Sequence, residues 1–359
     1  MHSVIIAGGG TGGHIFPALA IADEIKKRYP QCHIHFVGAI GRMEMEKVPQ
    51  AGYQITGLPM SGIQRKQLLK NWNLPFKIFK SLLLSNKILR EKKPEIVIGV
   101  GGYASAAIVK RAQSIGIPTL LQEQNGYAGV TNKLLGKSAN AICVAYERME
   151  RFFPEPLLHL TGNPVREQIT QPIERNTALY KKYDLEENKP VLLFIGGSLG
   201  ARSINIAVEN NCKYLLQKGF QIIWQTGKNY NTTTQLPGMH VQTFIQEMNE
   251  VYSLADIIIS RAGAISISEL CCIGKPCILV PSPNVAEDHQ TRNAAELVRK
   301  NAVVLIPDNE ISGSLVENCL ELWEHEDYRE KLSKNIVAMA KPNAVQDIVS
   351  IIEDIVNPK

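Results

Sequence analysis

The sequence has 359 residues, of which 45% are hydrophobic and 20% are charged, the balance of a globular domain protein rather than of a disordered chain. It contains no run of about 18 uncharged apolar residues, so we predict no transmembrane helix. Its N-terminus lacks a basic and then apolar leader, so we predict no signal peptide. This length suits roughly two domains of ordinary size.

Metal and disulfide chemistry have little support in the sequence. Seven cysteines are scattered along the chain without a CxxC pair, and no Asp-x-Asp motif occurs. The odd number and wide spacing favour buried thiols in a reducing cytoplasm over a disulfide framework or a zinc site. We therefore expect no metal site and no cofactor.

The two halves of the chain differ in charge. Residues 1–163 carry 20 Lys or Arg against 10 Asp or Glu, a net charge of +10, whereas the remainder carries 19 against 24, a net charge of −5. Such an asymmetry indicates separate partners for the two halves.

A glycine-rich loop connects the first predicted strand, residues 4–7, to the first predicted helix. The loop reads Gly-Gly-Gly-Thr-Gly-Gly from residue 8 to residue 13, and His14 follows it. Glycines allow close backbone approach, and a helix start offers unpaired N–H groups, so this unit predicts an anion site. Pro17 suits the first turn of that helix, and Ala18 and Ile21 begin its apolar stripe.

A second unit of the same kind begins half-way along the chain. The apolar run 191–195 precedes Gly-Gly-Ser-Leu-Gly at residues 196–200, and a helical stripe follows. Further strands are predicted at residues 33–38, 95–99, 118–121, 141–144, 159–161, 221–224, 241–244, 257–259 and 277–280. Strands that alternate with helices predict parallel sheets, which bind ligands at the carboxyl ends of their strands.

The predicted architecture is α/β, with two doubly wound, Rossmann-like domains that face each other across a cleft. We expect a first domain over residues 1–163 and a second over residues 164–341. The apolar stripe of the last segment predicts a helix over about residues 342–357. One interpretation is that this helix packs back on the first domain, and simple packing is the alternative.

The first loop satisfies G-x-G-x-x-G, but a dinucleotide site would also want an acidic residue after the second strand, where Val37-Gly38-Ala39-Ile40 stands. The Walker pattern is absent as well. His14 is a candidate general base because histidine titrates near neutral pH. Its alternative is a helix-start histidine with only local hydrogen bonds.

Two polar segments of the second half are further candidates. Residues 260–270 follow a strand and start a helix, where backbone N–H groups suit a diphosphate and Glu269 suits two ribose hydroxyls. The alternative for Glu269 is a solvated glutamate in a first helical turn. In residues 281–294, Gln290 and Asn293 suit sugar hydroxyls, and N-capping by Asp288 is the alternative.

A basic and apolar belt spans residues 64–93. Nine Lys or Arg residues stand against Glu91 alone, with apolar residues between them: Arg65, Lys66, Lys70, Lys77, Lys80, Lys87, Arg90, Lys92 and Lys93. The apolar share favours an anionic membrane surface over nucleic acid. A solvated helix that covers a core is the alternative.

Taken in order, the motifs resemble the MurG family of bacterial glycosyltransferases over nearly the whole chain. They are Gly-Gly-Thr-Gly-Gly-His at 9–14, Gly-Gly-Tyr at 101–103, Glu-Gln-Asn at 123–125, Gly-Asn-Pro-Val-Arg at 162–166, Gly-Gly-Ser-x-Gly-Ala at 196–201 and Ser-x-Ser-Glu at 266–269. The resemblance implies the GT-B fold and inverting transfer of GlcNAc from UDP-GlcNAc to undecaprenyl-pyrophosphoryl-MurNAc-pentapeptide (lipid I), giving lipid II for peptidoglycan. It also implies a peripheral protein on the cytoplasmic face of the bacterial cell membrane, with no nucleic acid among its partners.

The resemblance implies roles for particular residues. His14 matches the position of the catalytic base, and Glu269 that of the ribose-binding glutamate. Other substrate-binding positions are matched by Thr11, Gly12, Gly13, Asn125, Arg166, Ser198, Ile245, Ala264, Ile265, Ser266, Ile267, Ser268 and Gln290. The chain departs from the family at Leu199, where glutamine is frequent, and at Gln122, where histidine is frequent.

Two alternatives remain at this stage. A UDP-GlcNAc 2-epimerase shares the two-domain scaffold, although it has no reason to carry the basic belt. A lipid-binding or nucleotide-sensing protein would bind UDP-GlcNAc and turn nothing over.

Overall fold

The computed structural model describes residues 1–60, 72, 74–171, 173–285 and 288–358. The chain divides into two compact units, one formed by Met1–Arg166 with Pro342–Lys359 and the other by Glu167–Lys341. Each unit is built on one parallel sheet with helices on its faces.

The first unit has a buried parallel sheet. Its strands within the described residues are β1 (Ser3–Ala7), β2 (His33–Ala39), β3 (Gln54–Leu58), β4 (Ile96–Gly99), β5 (Thr119–Glu123), β6 (Ala141–Val144) and β7 (Leu158–Leu160). They lie in the order β3-β2-β1-β4-β5-β6-β7. β1 pairs with β2 on one side and β4 on the other, so its carboxyl end lies where the strand order reverses, the usual ligand position of such sheets.

The helices of the first unit follow the strands in sequence. They are α1 (Gly12–Arg28), α2 (Glu44–Gln50), α3 (Leu74–Lys92), α4 (Tyr103–Ser114), α5 (Val130–Gly136) and, from the end of the chain, α14 (Ala344–Val356). The central strands are apolar on both faces because helices cover both sides of the sheet; Ile5, Ile6 and Ile98 are fully buried.

The C-terminal helix α14 packs on the first unit. Its Ile348, Val349 and Ile352 are fully buried in the core that also contains Ile21 of α1. Arg28 of α1 ties the two helices together, since its guanidinium donates to the Glu353 carboxylate at 3.1 Å and to the carbonyl of Gln346 at 3.0 Å.

The second unit repeats the plan on a smaller sheet. Its described strands are β8 (Val191–Ile195), β9 (Gln221–Gln225), β10 (Met239–Gln242), β11 (Ile257–Ser260), β12 (Cys277–Leu279) and β13 (Val304–Leu305). They lie in the order β10-β9-β8-β11-β12-β13, all parallel. The helices are α6 (Glu167–Thr170), α7 (Thr177–Lys182), α8 (Arg202–Gln217), α9 (Met248–Leu254), α10 (Ala264–Ile273), α11 (His289–Arg299), α12 (Ile311–Glu324) and α13 (Glu326–Val337).

The predicted class of two doubly wound α/β domains is confirmed. The position of Pro17 is corrected. α1 begins at Gly12, so Pro17 lies inside the helix and is buried, rather than in its first turn. Glycines that read as loop in the sequence extend the helix backwards, and Pro17 cannot donate to the carbonyl of Gly13 four residues earlier.

Two further observations concern the state of the cysteine side chains and the apolar character of the helices. All seven cysteines are free thiols, six of them buried and Cys272 half-buried. No helix among the described residues combines the length and the apolar character needed to cross a bilayer.

Because apolar side chains of α14 are buried, we expect that shortening one of them destabilises the first unit. We expect Ile352→Ala to lower the free energy of unfolding of the first unit by about 2–5 kcal/mol, because it leaves a cavity against α1. The urea dependence of amide hydrogen exchange in β1 measures this change. Asp354→Ala, on the exposed side of the same helix, is the control, and equal losses in both variants would contradict the packing described.

Candidate functional site

The first glycine loop of the first unit is partly occupied by the protein itself. Gly9 and Gly10 have φ angles of 153° and 90°, and the N–H of Gly10 donates to the carboxylate of the buried Glu44 at 2.8 Å. The N–H groups of Gly12 and Gly13 belong to the first turn of α1, where the helix provides no acceptor for them. Donors for an anion therefore lie at the helix start rather than in the middle of the loop.

His14 is the third residue of α1, and its hydrogen-bond partners assign a tautomer to the neutral ring. Nδ1 lies 3.0 Å from the carbonyl oxygen of Gly9 and 3.3 Å from Oγ1 of Thr11. A carbonyl oxygen only accepts, so Nδ1 carries the hydrogen and the lone pair of the neutral ring is on Nε2. The alternative interpretation of His14, a helix-start histidine with local hydrogen bonds, expects such a bond, and the bond is present. The same bond places the hydrogen on Nδ1 and therefore makes Nε2 the basic atom.

A second glycine pair, after β4, contacts this loop. Gly101 and Gly102 have φ angles of 96° and 88°. A Cβ at Gly101 would lie 2.8 Å from Cδ2 and Nε2 of His14, and one at Gly102 would lie 2.5 Å from the carbonyl oxygen of Gly9. Only glycine permits this approach of two strand-end loops to the His14 ring.

Asn125 is held by a buried carboxylate. The backbone N–H and the side-chain amide of Asn125 donate to Oε1 of Glu123 at 3.1 Å and 3.3 Å. Oε2 of Glu123 accepts from Gly129 N–H and from the Asn132 amide, both at 2.9 Å. Burial raises the pKa of Glu123 above its ordinary value, although these hydrogen bonds oppose that shift.

A cluster of buried amides connects three strand ends beneath Asn125, and sequence reasoning missed it. Gln122 donates to Oδ1 of Asn163 at 2.9 Å, and Asn163 donates to the carbonyl of Gln124 at 3.1 Å. Gln124 in turn donates to the carbonyl of Val100 at 2.8 Å. The polar run that begins at Gln122, near the end of β5, was the available signal, since the partners are distant in sequence. Gln122, one of the departures from the family pattern, is thus a fully buried member of this cluster.

Arg166 belongs to the first unit. Its guanidinium carbon lies 5.7 Å from the centre of the Phe16 ring, within the range of a cation–π contact. The structure therefore brings Arg166 to the Phe16 ring, which lies beside Gly12 at the start of α1.

In the second unit, the loop at residues 196–200 follows β8. Gly200 has a φ angle of 85°, and a Cβ there would overlap the carbonyl oxygen of Thr226. Ser198 is half-buried in this loop, and its carbonyl accepts from the N–H of Lys228 at 3.2 Å. The predicted helix after the loop is confirmed as α8.

The predicted diphosphate-binding segment forms the first turns of α10. Ala264 is the first residue of this helix and Gly263 is its N-cap. The N–H groups of Ile265 and Ser266 have no acceptor within the helix, whereas Ile267 N–H donates to the carbonyl of Gly263 at 2.9 Å. Oγ of Ser268 donates to the carbonyl of Ala264 at 3.0 Å.

Glu269 is not a solvated first-turn glutamate, so that alternative is wrong. It is the sixth residue of α10 and only 7% exposed. Its Oε2 accepts from the hydroxyl of the buried Tyr252 at 3.1 Å. A buried, oriented carboxylate of this kind suits a site that recognises hydroxyl groups.

Ile245 and Gln290, two further predicted residues of the second unit, each make a hydrogen bond within the protein. The N–H of the buried Ile245 donates to Oε1 of Gln225 at 3.0 Å. Oε1 of Gln290 accepts from the N–H of Ser282 at 2.8 Å, so the amide NH₂ is its donor end. Asn293 is fully buried.

N-capping by Asp288 is not found. Asp288 stands before α11 with a φ angle of 50° and makes no side-chain cap bond to the backbone. Its carboxylate accepts from the Thr291 hydroxyl at 2.7 Å instead. Glu287, part of the same predicted loop, lies outside the described residues.

A cavity of about 660 Å³ opens beside the loop at residues 196–200. Among the predicted residues, Ser266 and Gln290 line it, whereas Ile245 and Glu269 do not. Arg261 also lines it and forms an ion pair with Asp308; its guanidinium donates to Oγ of Ser203 at 3.0 Å. Sequence reasoning missed this pair because its members come from separate strand ends.

The described part of the basic belt is α3 with Trp72 and Lys93; Arg65, Lys66 and Lys70 lie outside the described residues. Ile88 and Leu89 of α3 pack into the core, as the simpler interpretation requires. Its other side leaves Phe76, Phe79 and Leu83 between 56% and 71% exposed. We call this side, with the exposed Lys80 and Lys87 on it and the half-buried Lys77 at its edge, the α3 apolar–basic face. Exposed aromatic residues among lysines are typical of a surface that binds anionic membranes.

Metal ligation has no geometric support in the part of the chain that the structure describes. No group of three or more His, Cys, Asp or Glu side chains is placed there to hold an ion.

Comparisons with known proteins cover both units of the chain. Residues 4–144 match the glycosyltransferase family 28 N-terminal domain, and residues 191–348 match the family 28 C-terminal domain. The chain is 51% identical to a UDP-N-acetylglucosamine–N-acetylmuramyl-(pentapeptide) pyrophosphoryl-undecaprenol N-acetylglucosamine transferase from Cytophaga hutchinsonii, over 99% of this chain and 97% of that one.

Solved structures give the same result. The crystal structure of MurG from Acinetobacter baumannii has a TM-score of 0.77 and 26% identity, over 99% of this chain and 100% of that one. A UDP-GlcNAc 2-epimerase from Neisseria meningitidis, bound to UDP-GlcNAc, has a TM-score of 0.67 at 16% identity, over 99% of this chain and 100% of that one; at that identity the likeness shows the fold alone. The predicted GT-B class is therefore confirmed, and the chain belongs to glycosyltransferase family 28 and, within it, to the MurG family of N-acetylglucosamine transferases.

Proposed function

We propose that the protein is an inverting glycosyltransferase that moves GlcNAc from UDP-GlcNAc to the MurNAc 4-hydroxyl of lipid I, giving lipid II for peptidoglycan. The observation that carries this proposal is 51% identity to a transferase of that name over 99% of the chain. Identity at this level over both units favours the transferase over the epimerase, whose likeness extends to the fold.

The second unit binds the nucleotide sugar in this proposal. The first-turn N–H groups of α10 suit the diphosphate, because a helix N-terminus attracts negative charge. Glu269, already oriented by Tyr252, accepts from the ribose hydroxyls. Ser198, Ile245 and the residues of α10 from Ala264 to Ser268 complete the nucleotide contacts, and the donor end of Gln290 contacts the sugar.

The first unit supplies the base and binds the acceptor. Nε2 of His14 takes the proton of the MurNAc 4-hydroxyl as its oxygen bonds to the anomeric carbon of GlcNAc from the face opposite UDP. The bond from that carbon to the diphosphate oxygen breaks, and UDP leaves with the electron pair. Arg166 and the first-turn N–H groups of Gly12 and Gly13 stabilise the charge that grows on the leaving diphosphate. Thr11 and Asn125 position the substrates.

The lipid carrier of the acceptor places the reaction at a membrane surface. The α3 apolar–basic face supports a peripheral location on the cytoplasmic face of the bacterial cell membrane. Each lysine near an anionic surface contributes about 1 kcal/mol, and the exposed aromatic side chains add apolar contact.

One assay tests the reaction against its alternatives. Labelled UDP-GlcNAc is incubated with a lipid I analogue, and the products are separated. Glycosylated lipid with free UDP supports the transferase. Free UDP with ManNAc indicates an epimerase, and the absence of any product indicates a binding protein; either result would contradict the proposal.

His14→Ala is expected to lower kcat at least 10²-fold, the usual scale of general base catalysis. UDP binding should change little, since the uridine contacts belong to the second unit. Steady-state kinetics and calorimetric titration with UDP measure the two effects. His33→Ala, an exposed histidine at the opposite end of the sheet, is the control; near-normal turnover of His14→Ala would exclude His14 as the base.

Glu269→Gln is expected to weaken UDP binding about 10-fold or more, because a charged acceptor for the ribose hydroxyls is lost. Glu317→Gln, an exposed change in the same unit, should leave affinity unchanged. The sharper control is 2′,3′-dideoxy-UDP, which the parent and Glu269→Gln should bind equally. A persistent difference with that ligand would contradict ribose recognition by Glu269.

Replacing Lys77, Lys80 and Lys87 by glutamine is expected to weaken binding to anionic vesicles about 10²-fold at low salt, from about 1 kcal/mol per lysine. Vesicle sedimentation measures the partition. The same change at Lys181, Lys213 and Lys334, which are exposed on the second unit, is the charge-matched control. Equal behaviour of the two triple variants would reject a membrane role for the α3 apolar–basic face.

A further inference from the structure

Glu44 is a buried carboxylate inside the first glycine loop. It is only 1% exposed, although glutamate is rarely buried without partners. Oε2 accepts from the N–H of Gly10 at 2.8 Å, and Oε1 accepts from the N–H of Ala39 at 2.9 Å. Acceptance at both oxygens is the pattern of an ionised carboxylate.

The hydrogen bond from Gly10 involves the same peptide group that orients His14. The N–H of the Gly9–Gly10 peptide donates to Glu44, and its carbonyl, Gly9 O, accepts from Nδ1 of His14 at 3.0 Å. One planar peptide therefore connects the carboxylate to the imidazole through two hydrogen bonds. We infer that Glu44 is a positioning residue that acts through this peptide to hold His14 in the Nδ1–H tautomer, with Nε2 as the basic atom; the inference rests on the proposed role of His14.

Three glycines surround the Glu44 side chain and the carbonyl of Gly9. A Cβ at Gly9 would overlap the Glu44 carboxylate, and a Cβ at Gly38 would overlap Cγ of Glu44. On the other side, a Cβ at Gly102 would lie 2.5 Å from the carbonyl oxygen of Gly9. The Glu44 side chain therefore passes between the Cα atoms of Gly9 and Gly38. The carbonyl of Gly9 lies against the Cα atom of Gly102.

Polarisation gives the connection its chemical effect. A peptide whose N–H donates to an anion becomes a stronger acceptor at its carbonyl, since hydrogen bonds in series reinforce one another by about 10–30%. A stronger acceptor at Gly9 O favours the hydrogen on Nδ1 and leaves the lone pair on Nε2. A carboxylate does the same for histidine directly in the serine protease triad; here the peptide stands between them.

If Glu44 only anchored β2 to the glycine loop, its replacement would leave the tautomer of His14 unchanged. The experiment is therefore nitrogen-15 histidine NMR of the whole protein without substrate, at alkaline pH, where two-bond correlations show which ring nitrogen carries the hydrogen. His14→Gln identifies the signal. We expect the parent to show the Nδ1–H form and Glu44→Gln to shift toward the Nε2–H form, because glutamine offers an oxygen to only one of its two N–H partners.

Kinetics on the same variants give the second readout. Glu44→Gln should lower kcat about 10-fold or more and leave KM for UDP-GlcNAc within about twofold, since the uridine contacts belong to the second unit. Glu46→Gln, an exposed glutamate on the same helix, is the matched control and should change neither. Gly38→Ala displaces the Glu44 side chain without removing its charge, and it should reproduce the tautomer shift if Glu44→Gln does not fold.

The outcomes are distinct. An unchanged Nδ1–H signal in Glu44→Gln or in a folded Gly38→Ala overturns the inference, even if kcat falls, because a fall without a tautomer change is an anchoring effect. A tautomer shift with a lower kcat supports it. Failure of the proposed function is a different result, since it appears as a parent protein that transfers no GlcNAc to the lipid I analogue, whatever the spectra show.

Discussion

Close approach of backbone to backbone, at the carboxyl ends of the central strands, is the constraint on which both sites depend. In the first unit Gly102 lies against the carbonyl of Gly9, and in the second Gly200 lies against the carbonyl of Thr226. A single Cβ would force either pair apart. The contacts fix the two loops so that the helices after them begin at defined positions, with first-turn N–H groups that have no acceptor within the helix.

The two units use this device differently. The first loop contains a carboxylate, Glu44, that already occupies the N–H of Gly10. The second loop is held by a neutral amide, because Gln225 donates to the carbonyl of Gly197 at 3.1 Å and accepts from Ile245. An internal negative charge disfavours a second anion beside it. The second unit, whose loop contains no such charge, is therefore the better environment for a nucleotide diphosphate, whereas the loop of the first unit is suited to orient a histidine.

Local patterns predicted most of the fold and the positions of the candidate residues, and long-range contacts account for what they missed. Apolar runs such as Val191–Ile195 gave strands at their observed positions. β3 and the two-residue β13 were missed because short, mixed sequences such as Gln54–Leu58 carry little periodic signal. The partnership of Glu44 with Gly10 and the burial of Glu269 arise from tertiary packing, so composition and spacing gave no indication of either.

The central claim is that the nucleotide belongs to the second unit and the base to the first. Crystals soaked with UDP test it most directly. The account predicts uridine density with its ribose hydroxyls within hydrogen-bonding distance of the Glu269 carboxylate and its diphosphate at the start of α10. Uridine bound in the first unit, with the surroundings of Glu269 unchanged, would contradict it.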